Sequence, residues 1–169
     1  MKRFLSVILL LGAIILSYAQ KFNEFTDVNL VLLTDRGTIG RQYFYEFIEE
    51  AEMKRGETLE QAVERINREL YASLRKGLNN KSKKYHFGDY PDSKYELKAQ
   101  FIQCNEDGQR GKFHFTFTNK ENGKAATFEK SCRGGTFGTR LHLLNESIEG
   151  AGEKAGSYIK SHSKTIDIE

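Results

Sequence analysis

Two periods of apolar and polar residues run along this chain. The period of two is confined to residues 94–132. There Tyr95, Leu97, Ala99 and Phe101 alternate with Glu96, Lys98 and Gln100. Phe113, Phe115 and Phe117 alternate with His114, Thr116 and Thr118, and Ala126 and Phe128 with Thr127 and Glu129. Such alternation buries one side of a strand and wets the other, so the stretch predicts a three-stranded antiparallel meander. Its turns give a register. Glu106-Asp107-Gly108 suits a three-residue loop and pairs Phe101 with Phe113, Ala99 with Phe115 and Leu97 with Phe117. Asn122-Gly123 suits a two-residue hairpin and pairs Glu121 with Lys124 and Phe117 with Phe128. Both turns bring apolar faces together, which is the consistency a foldable sequence shows.

The helical period appears on either side. Thr58 to Leu78 carries Leu59, Ala62, Val63, Ile66, Leu70, Leu74 and Leu78 on one stripe, with Glu60, Glu64, Arg65, Arg68, Glu69 and Arg75 elsewhere. Thr58 and Gln61 stand at the two positions of a reciprocal N-terminal cap. A second helix is predicted from about Thr139 to Lys160, with Leu141, Leu144, Ile148, Ala151, Ala155 and Ile159 on one side. Gly150, Gly152 and Gly156 each cost that helix about 1 kcal/mol relative to Ala, and predict a close approach to the sheet. Residues 41–55 fit two patterns. Phe44, Phe47, Ile48 and Ala51 recur at helical spacing, while Tyr43-Phe44-Tyr45 favours a strand. The expectation is a helix that breaks at Gly56.

Val28 to Thr34 is short and mostly apolar, as a buried strand is, and Asp35-Arg36-Gly37 ends it. Residues 20–27 read as an irregular lead-in. Asn79-Asn80 opens a polar connection through Lys84, and the only Pro, Pro91, falls in a loop. The order is strand, one or two helices, three strands, helix. This predicts a single α+β domain over residues 20–160, helices on one face of a mainly antiparallel sheet, with a polar tail at 161–169.

The first residues fit neither period. Lys2 and Arg3 precede an apolar run, Phe4 to Leu16, and Ser17-Tyr18-Ala19 supplies small residues for cleavage. This is the layout of a secretory signal peptide over residues 1–19. As a helix the run rises only about 20 Å, short of the ~30 Å hydrocarbon core. No Cys lies near the cleavage point, so a lipid anchor is not expected. Removing the leader lowers the formal net charge from +3 to +1. A near-neutral exported domain is a poor nucleic-acid binder, because that binding rests on phosphate neutralisation. With 12 Phe and 8 Tyr the chain is too aromatic to be disordered.

Few residues suggest chemistry. Cys104 and Cys132 are an isolated pair in an oxidising compartment, where a disulfide is the usual reading. The predicted register opposes it. The middle strand separates them by about 9–10 Å, beyond the ~7 Å limit on Cα separation. A bulge after Phe101 would turn Cys104 inward and favour the bond, so both readings stand. The loop Arg133-Gly134-Gly135-Thr136-Phe137-Gly138-Thr139 precedes a helix, where Arg133, Gly134, Gly135, Thr136 and Arg140 could hold an anion. It matches no nucleotide-binding fingerprint, and a flexible corner is the simpler reading. His86, His114, His142 and His162 show no metal-ligand spacing. No nucleophile elbow or zinc-protease helix occurs, and no cofactor is implied. Arg75, Lys76, Lys81, Lys83 and Lys84 form a basic helix end that suits the helix dipole or a headgroup. If exposed, Tyr43, Phe44, Tyr45 and Phe47 would suit a protein partner; if buried, they are core.

The succession Tyr95–Gln103, Lys112–Thr118, the Asn122-Gly123 turn, Ala125–Lys130, a glycine-rich corner and a small-residue helix ending in Tyr158-Ile159 resembles a known layout. It is that of the small periplasmic α+β domains of curli-assembly-type and penicillin-binding-protein-activator-type accessory proteins. The resemblance covers most of residues 28–160. It implies a non-catalytic envelope role through contacts with another envelope or secreted protein. The chain departs from the layout in lacking a lipoprotein Cys and in carrying 41–55, and no site residues are carried over. The function expected is an exported, non-enzymatic binding or assembly module. The alternative is a small ligand- or anion-binding domain, or a hydrolase, working at residues 133–140.

Overall fold

The computed structural model describes residues 25–162. The expected leader at 1–19 and the tail beyond His162 lie outside them. In chain order the elements are β1 (Thr26–Leu33), β2 (Thr38–Ile39), β3 (Gln42–Tyr43), α1 (Phe44–Ala51) and α2 (Leu59–Lys81). Then come β4 (Tyr85–Gly88), β5 (Tyr95–Cys104), β6 (Arg110–Asn119), β7 (Ala125–Arg133) and α3 (Arg140–Ser161). Among the described residues this is an α+β fold with three helices and one seven-stranded sheet.

The sheet is mixed, which corrects the expected mainly antiparallel one. β1 runs parallel to both β4 and β5, and β2 runs parallel to β5. Only β2–β3 and the meander β5–β6–β7 are antiparallel. The cause is the unforeseen strand β4. It follows the polar connection directly, so β1, α2 and β4 form a parallel crossover unit, which needs a helix-length link. Four residues, Tyr-His-Phe-Gly, are too few to show a period.

The core lies on one side of the sheet. Val28, Leu30, Tyr85, Phe87, Leu97, Ala99, Phe101, Phe113, Phe115 and Phe117 are buried there, and all three helices join the same cluster. α2 starts as its sequence predicts: Thr58 Oγ1 accepts from Gln61 N–H, and Gln61 Oε1 accepts from Thr58 N–H. It continues to Lys81, a turn beyond the expected end.

Between β5 and β6 the expected register holds through Phe101↔Phe113, then shifts at a bulge between Phe101 and Gln103. The loop is correspondingly longer, closed where Asn105 N–H donates to Arg110 O at 3.3 Å, with Gly108 at φ 78°. Between β6 and β7 the register is corrected by two residues: Phe115 faces Phe128 and Phe117 faces Ala126. The hairpin is not closed by Asn122-Gly123 alone. Asn119 N–H donates to Lys124 O, and the side chains of Asn119 and Asn122 accept from Glu121 N–H and Lys124 N–H within the turn. A slip of two leaves every side chain on its own face, so the apolar pattern could not detect it.

Two helix expectations also change. Only Phe44–Ala51 of residues 41–55 is helical; Gln42–Tyr43 instead pairs with Thr38–Ile39 around Gly40, at φ 61°. In α3, Gly152 and Gly156 face α2 rather than the sheet. A Cβ on Gly152 would lie 2.6 Å from Leu74 O, and one on Gly156 2.7 Å from Leu78 O. Gly150 alone meets the sheet, at the Cys132 side chain.

Candidate functional site

The edges of the sheet are finished differently, and the difference marks a site. Successive residues of a strand send their backbone groups to opposite sides. Along β4, the side chains of Tyr85 and Phe87 are buried in the core, while their backbone groups face the outer edge. Both are taken up by the end of α2: Tyr85 N–H donates to Ser82 Oγ at 3.0 Å. Phe87 N–H donates to Asn79 Oδ1 at 2.8 Å, and Asn79 Nδ2 donates to Phe87 O at 3.0 Å. At the other edge, Lys154 Nζ donates to Ser131 O of β7 at 2.6 Å.

β1 is left without such cover. Its pairing with β4 spans only Thr26–Asn29, while its pairing with β5 continues to Leu33. Thr26 N–H donates toward β4, to Lys84 O, so by alternation Leu30 and Leu32 direct their backbone groups to that side too. Asn29↔Gly88 is the last pair, so the ladder gives the Leu30 N–H to Gly88 O; beyond it no described strand meets Leu30 C=O or the backbone of Leu32.

An open groove of about 780 Å³ lies along this bare edge. Leu32, Leu59, Val63, Tyr71 and Tyr45 line it, with Asn67 among them and Glu60, Glu64 and Arg68 at its lip. The α2 contribution recurs every fourth residue from Leu59 to Tyr71, one seam of the helix over about 18 Å. Thr34 Oγ1 donates to Asn67 Oδ1 at 2.8 Å, which fixes the end of β1 against α2. The Tyr71 hydroxyl is buried without a hydrogen-bond partner. Burial, with the Asp89 charge, raises its pKa. Tyr45 in the groove is more than a third exposed. The arrangement offers apolar contact and unpaired backbone groups, and no nucleophile or acid–base pair.

From sequence, Leu59 and Val63 belong to the core stripe and Leu32 to a buried strand, and Tyr71 was passed over. The available signal was the width of the apolar face of α2. Leu59, Val63 and Tyr71 form a seam beside Ala62, Ile66 and Leu70, more than one sheet contact requires.

The residues singled out from sequence are dispersed. Phe44 and Phe47 are fully buried core, while Tyr43 and Tyr45 are exposed, and Tyr45 lines the groove. Arg133 and Arg140 are not gathered into one site. Arg133 sits in a hollow with Glu146, Glu149 and Glu153, and Arg140 in another with Arg41 and Glu106. The glycine-loop amides are engaged internally: Gly134 N–H donates to Gln109 O, and Gly135 N–H to Glu146 Oε2, both at 2.6 Å. Thr136 lies in that loop, exposed. Cys104 and Cys132 are free thiols. The bulge after Phe101 does turn Cys104 inward, yet Gly111 of β6 stands between the two in the cross-strand row. His86 contacts Tyr90 and Asp27, His114 contacts Glu129, His142 contacts Glu146, and His162 stacks on Tyr158. Among the described residues no three metal-binding side chains converge, and no helix is long and apolar enough to cross a membrane.

No family model matches the chain, and no curated protein does. Solved structures of similar layout include a Xanthomonas campestris protein of the DUF330 family, at 10% identity and TM-score 0.38, covering 87% of this chain and 90% of that one. A PelC dodecamer from Paraburkholderia phytofirmans is similar at 13% identity and TM-score 0.40, covering 79% and 87%. A minor lipoprotein from Acinetobacter baumannii is similar at 11% identity and TM-score 0.33, covering 83% and 94%. None of these three is a curli-assembly or penicillin-binding-protein-activator protein, the two kinds whose layout the sequence resembles.

Proposed function

We propose that this is a non-enzymatic binding module, exported by its N-terminal leader, that holds another envelope or secreted protein in the groove beside β1. The observation that carries the reading is the groove itself: a largely apolar hollow of about 780 Å³ left open between a helix and a sheet edge. Exposed apolar surface rimmed by polar residues marks protein interaction sites as well as ligand grooves. Asn67, held by Thr34, and the Tyr71 hydroxyl are such groups here. Export rests on Lys2-Arg3, the Phe4–Leu16 run and Ser17-Tyr18-Ala19.

The test is a photo-crosslinking residue in place of Val63 in the native host. It is expected to trap one discrete protein. The same residue in place of Glu121, in the β6–β7 turn, is expected to trap none. No adduct from position 63, or the same adducts from both positions, would overturn the reading.

A further inference from the structure

The groove's position says what form its occupant takes. It lies beside residues 30–33 of β1, where β4 has ended and the backbone of Leu32 faces outward. An apolar ligand alone would leave that backbone N–H and C=O unpaired against it, and an unmet polar group at a dry contact is costly. An added strand satisfies them and also fills the groove. Its alternate side chains would fall on the core side, against Leu32, Leu59, Val63 and Tyr71. Its other side chains would point to solvent. The bare edge, from Leu30 C=O to Leu33, is about 10 Å long, room for three or four extended residues.

Charge narrows the occupant further. Glu60 and Glu64 stand at the lip with Arg68, which lies 3.9 Å from Glu64, and at the Tyr71 end Asp89 and Arg75 act on the hydroxyl with opposite sign. Along the adjoining α1, Glu49 shares the face of Tyr45 one turn on. Glu46 and Glu50 are also exposed, and no basic residue lies in its last turn. A segment flanked by basic residues complements this rim; an acidic one is repelled.

Resting on the groove reading above, we propose that the partner contributes an extended, basic-flanked segment with alternating apolar residues, which adds as a strand to the Leu30–Leu33 edge of β1. The donated strand continues the row that β4 leaves at Gly88.

The probe is a synthetic peptide, Lys-Lys-Val-Thr-Val-Thr-Val-Lys-Lys, titrated into the full-length protein and read by residue-resolved amide exchange. The peptide is expected to slow exchange at Leu32 by about tenfold or more at saturation. N-methylation along one edge of the peptide is expected to abolish that protection, while N-methylation along the other edge leaves it. Replacing the lysines with glutamates is expected to weaken binding about tenfold. Val63→Asp, at a half-buried position that also packs against the core, is expected to lose the peptide and to lower the thermal midpoint while remaining folded at the titration temperature. If both N-methylated peptides bind alike, or exchange at Leu32 is unchanged, strand addition is overturned. If Val63→Asp still abolishes binding in that case, the groove reading survives without it. Equal affinity of the lysine and glutamate peptides overturns the charge assignment.

Discussion

At the scale of single residues the two cysteines are the plainest test of the structure. Cys104 is buried at the end of β5, and that burial pushes its thiol up to about 11. Cys132 is partly exposed on β7. A thiol reacts as its thiolate, so exposure and acidity together set the rate. In the oxidised, purified protein a thiol reagent at neutral pH should label Cys132 promptly, Cys104 only after unfolding, and two thiols in total. Zero thiols would require the β5–β6–β7 register to be wrong. Glu57 makes a second test. Arg65 grips its carboxylate with Nε and Nη2, each at 2.9 Å, and donates from Nη2 to Glu52 O, tying the α1–α2 link to α2. The hydrogen bonds from Arg65, then that from Lys54 N–H, hold the Glu57 carboxyl down at about 2, against an ordinary 4.5. The ionised form therefore stabilises the fold fully above about pH 4.5, and the contribution is lost as pH falls toward 2. Carbon-detected titration should place Glu57 near 2, and Glu57→Gln should flatten that part of the acid limb of thermal stability. The sequence showed Arg65 only as one of the polar positions of α2 and did not single out Glu57, because nothing in a helical period reports a partner eight residues back across a turn.

At the scale of elements, the period gives a face but not what the face meets. The glycines of α3 are the clearest case. Their spacing predicted a close approach, and a close approach exists, but to α2: Gly77 on α2 and Gly152 and Gly156 on α3 let the two backbones meet. Two effects oppose each other in Gly152→Ala. Helix propensity favours alanine by about 1 kcal/mol. The new Cβ would sit 2.6 Å from Leu74 O and 3.1 Å from Leu78 N, which are backbone atoms that cannot rotate away. Overpacking of this kind costs about 1–3 kcal/mol. The expected outcome is net destabilisation by about 1 kcal/mol, a fall of about 2–4 °C in thermal midpoint for a domain of this size. A rise would mean the helices are farther apart than described. The hairpins teach the same lesson in strands. The β5–β6 register through Phe101↔Phe113 was legible because alternation and turn agreed. The β6–β7 register was displaced by two because Asn119 and Asn122 bond within the turn, and faces alone cannot tell a slip of two.

At the scale of the molecule, what was legible was the layering, and what was not was the order of the strands. Helices on one face of a sheet followed from the two periods; the parallel centre depended on β4, four residues long. The candidate groove was illegible for the same reason, since it exists only where β4 stops short of β1. Its neighbouring edge shows how this chain closes an edge when none is wanted. Asn79 uses its amide as a stand-in strand, giving one hydrogen bond to Phe87 O and taking one from Phe87 N–H. At about 1 kcal/mol net per bond, more where a group is left unmet, Asn79→Ala should cost about 2 kcal/mol and lower the thermal midpoint by about 4–8 °C. It should also bare the outer side of β4, and a bare flat edge templates further strands. Light scattering on heating should therefore rise earlier for Asn79→Ala than for a variant of equal instability made elsewhere, such as Gly152→Ala combined with a core truncation. If both aggregate alike at matched stability, Asn79 is only a stabilising contact. An earlier rise for Asn79→Ala alone would show that the sheet is closed at β4 by a side chain, leaving the length of β1 past the Leu30 N–H as a stretch of that edge that no described strand covers.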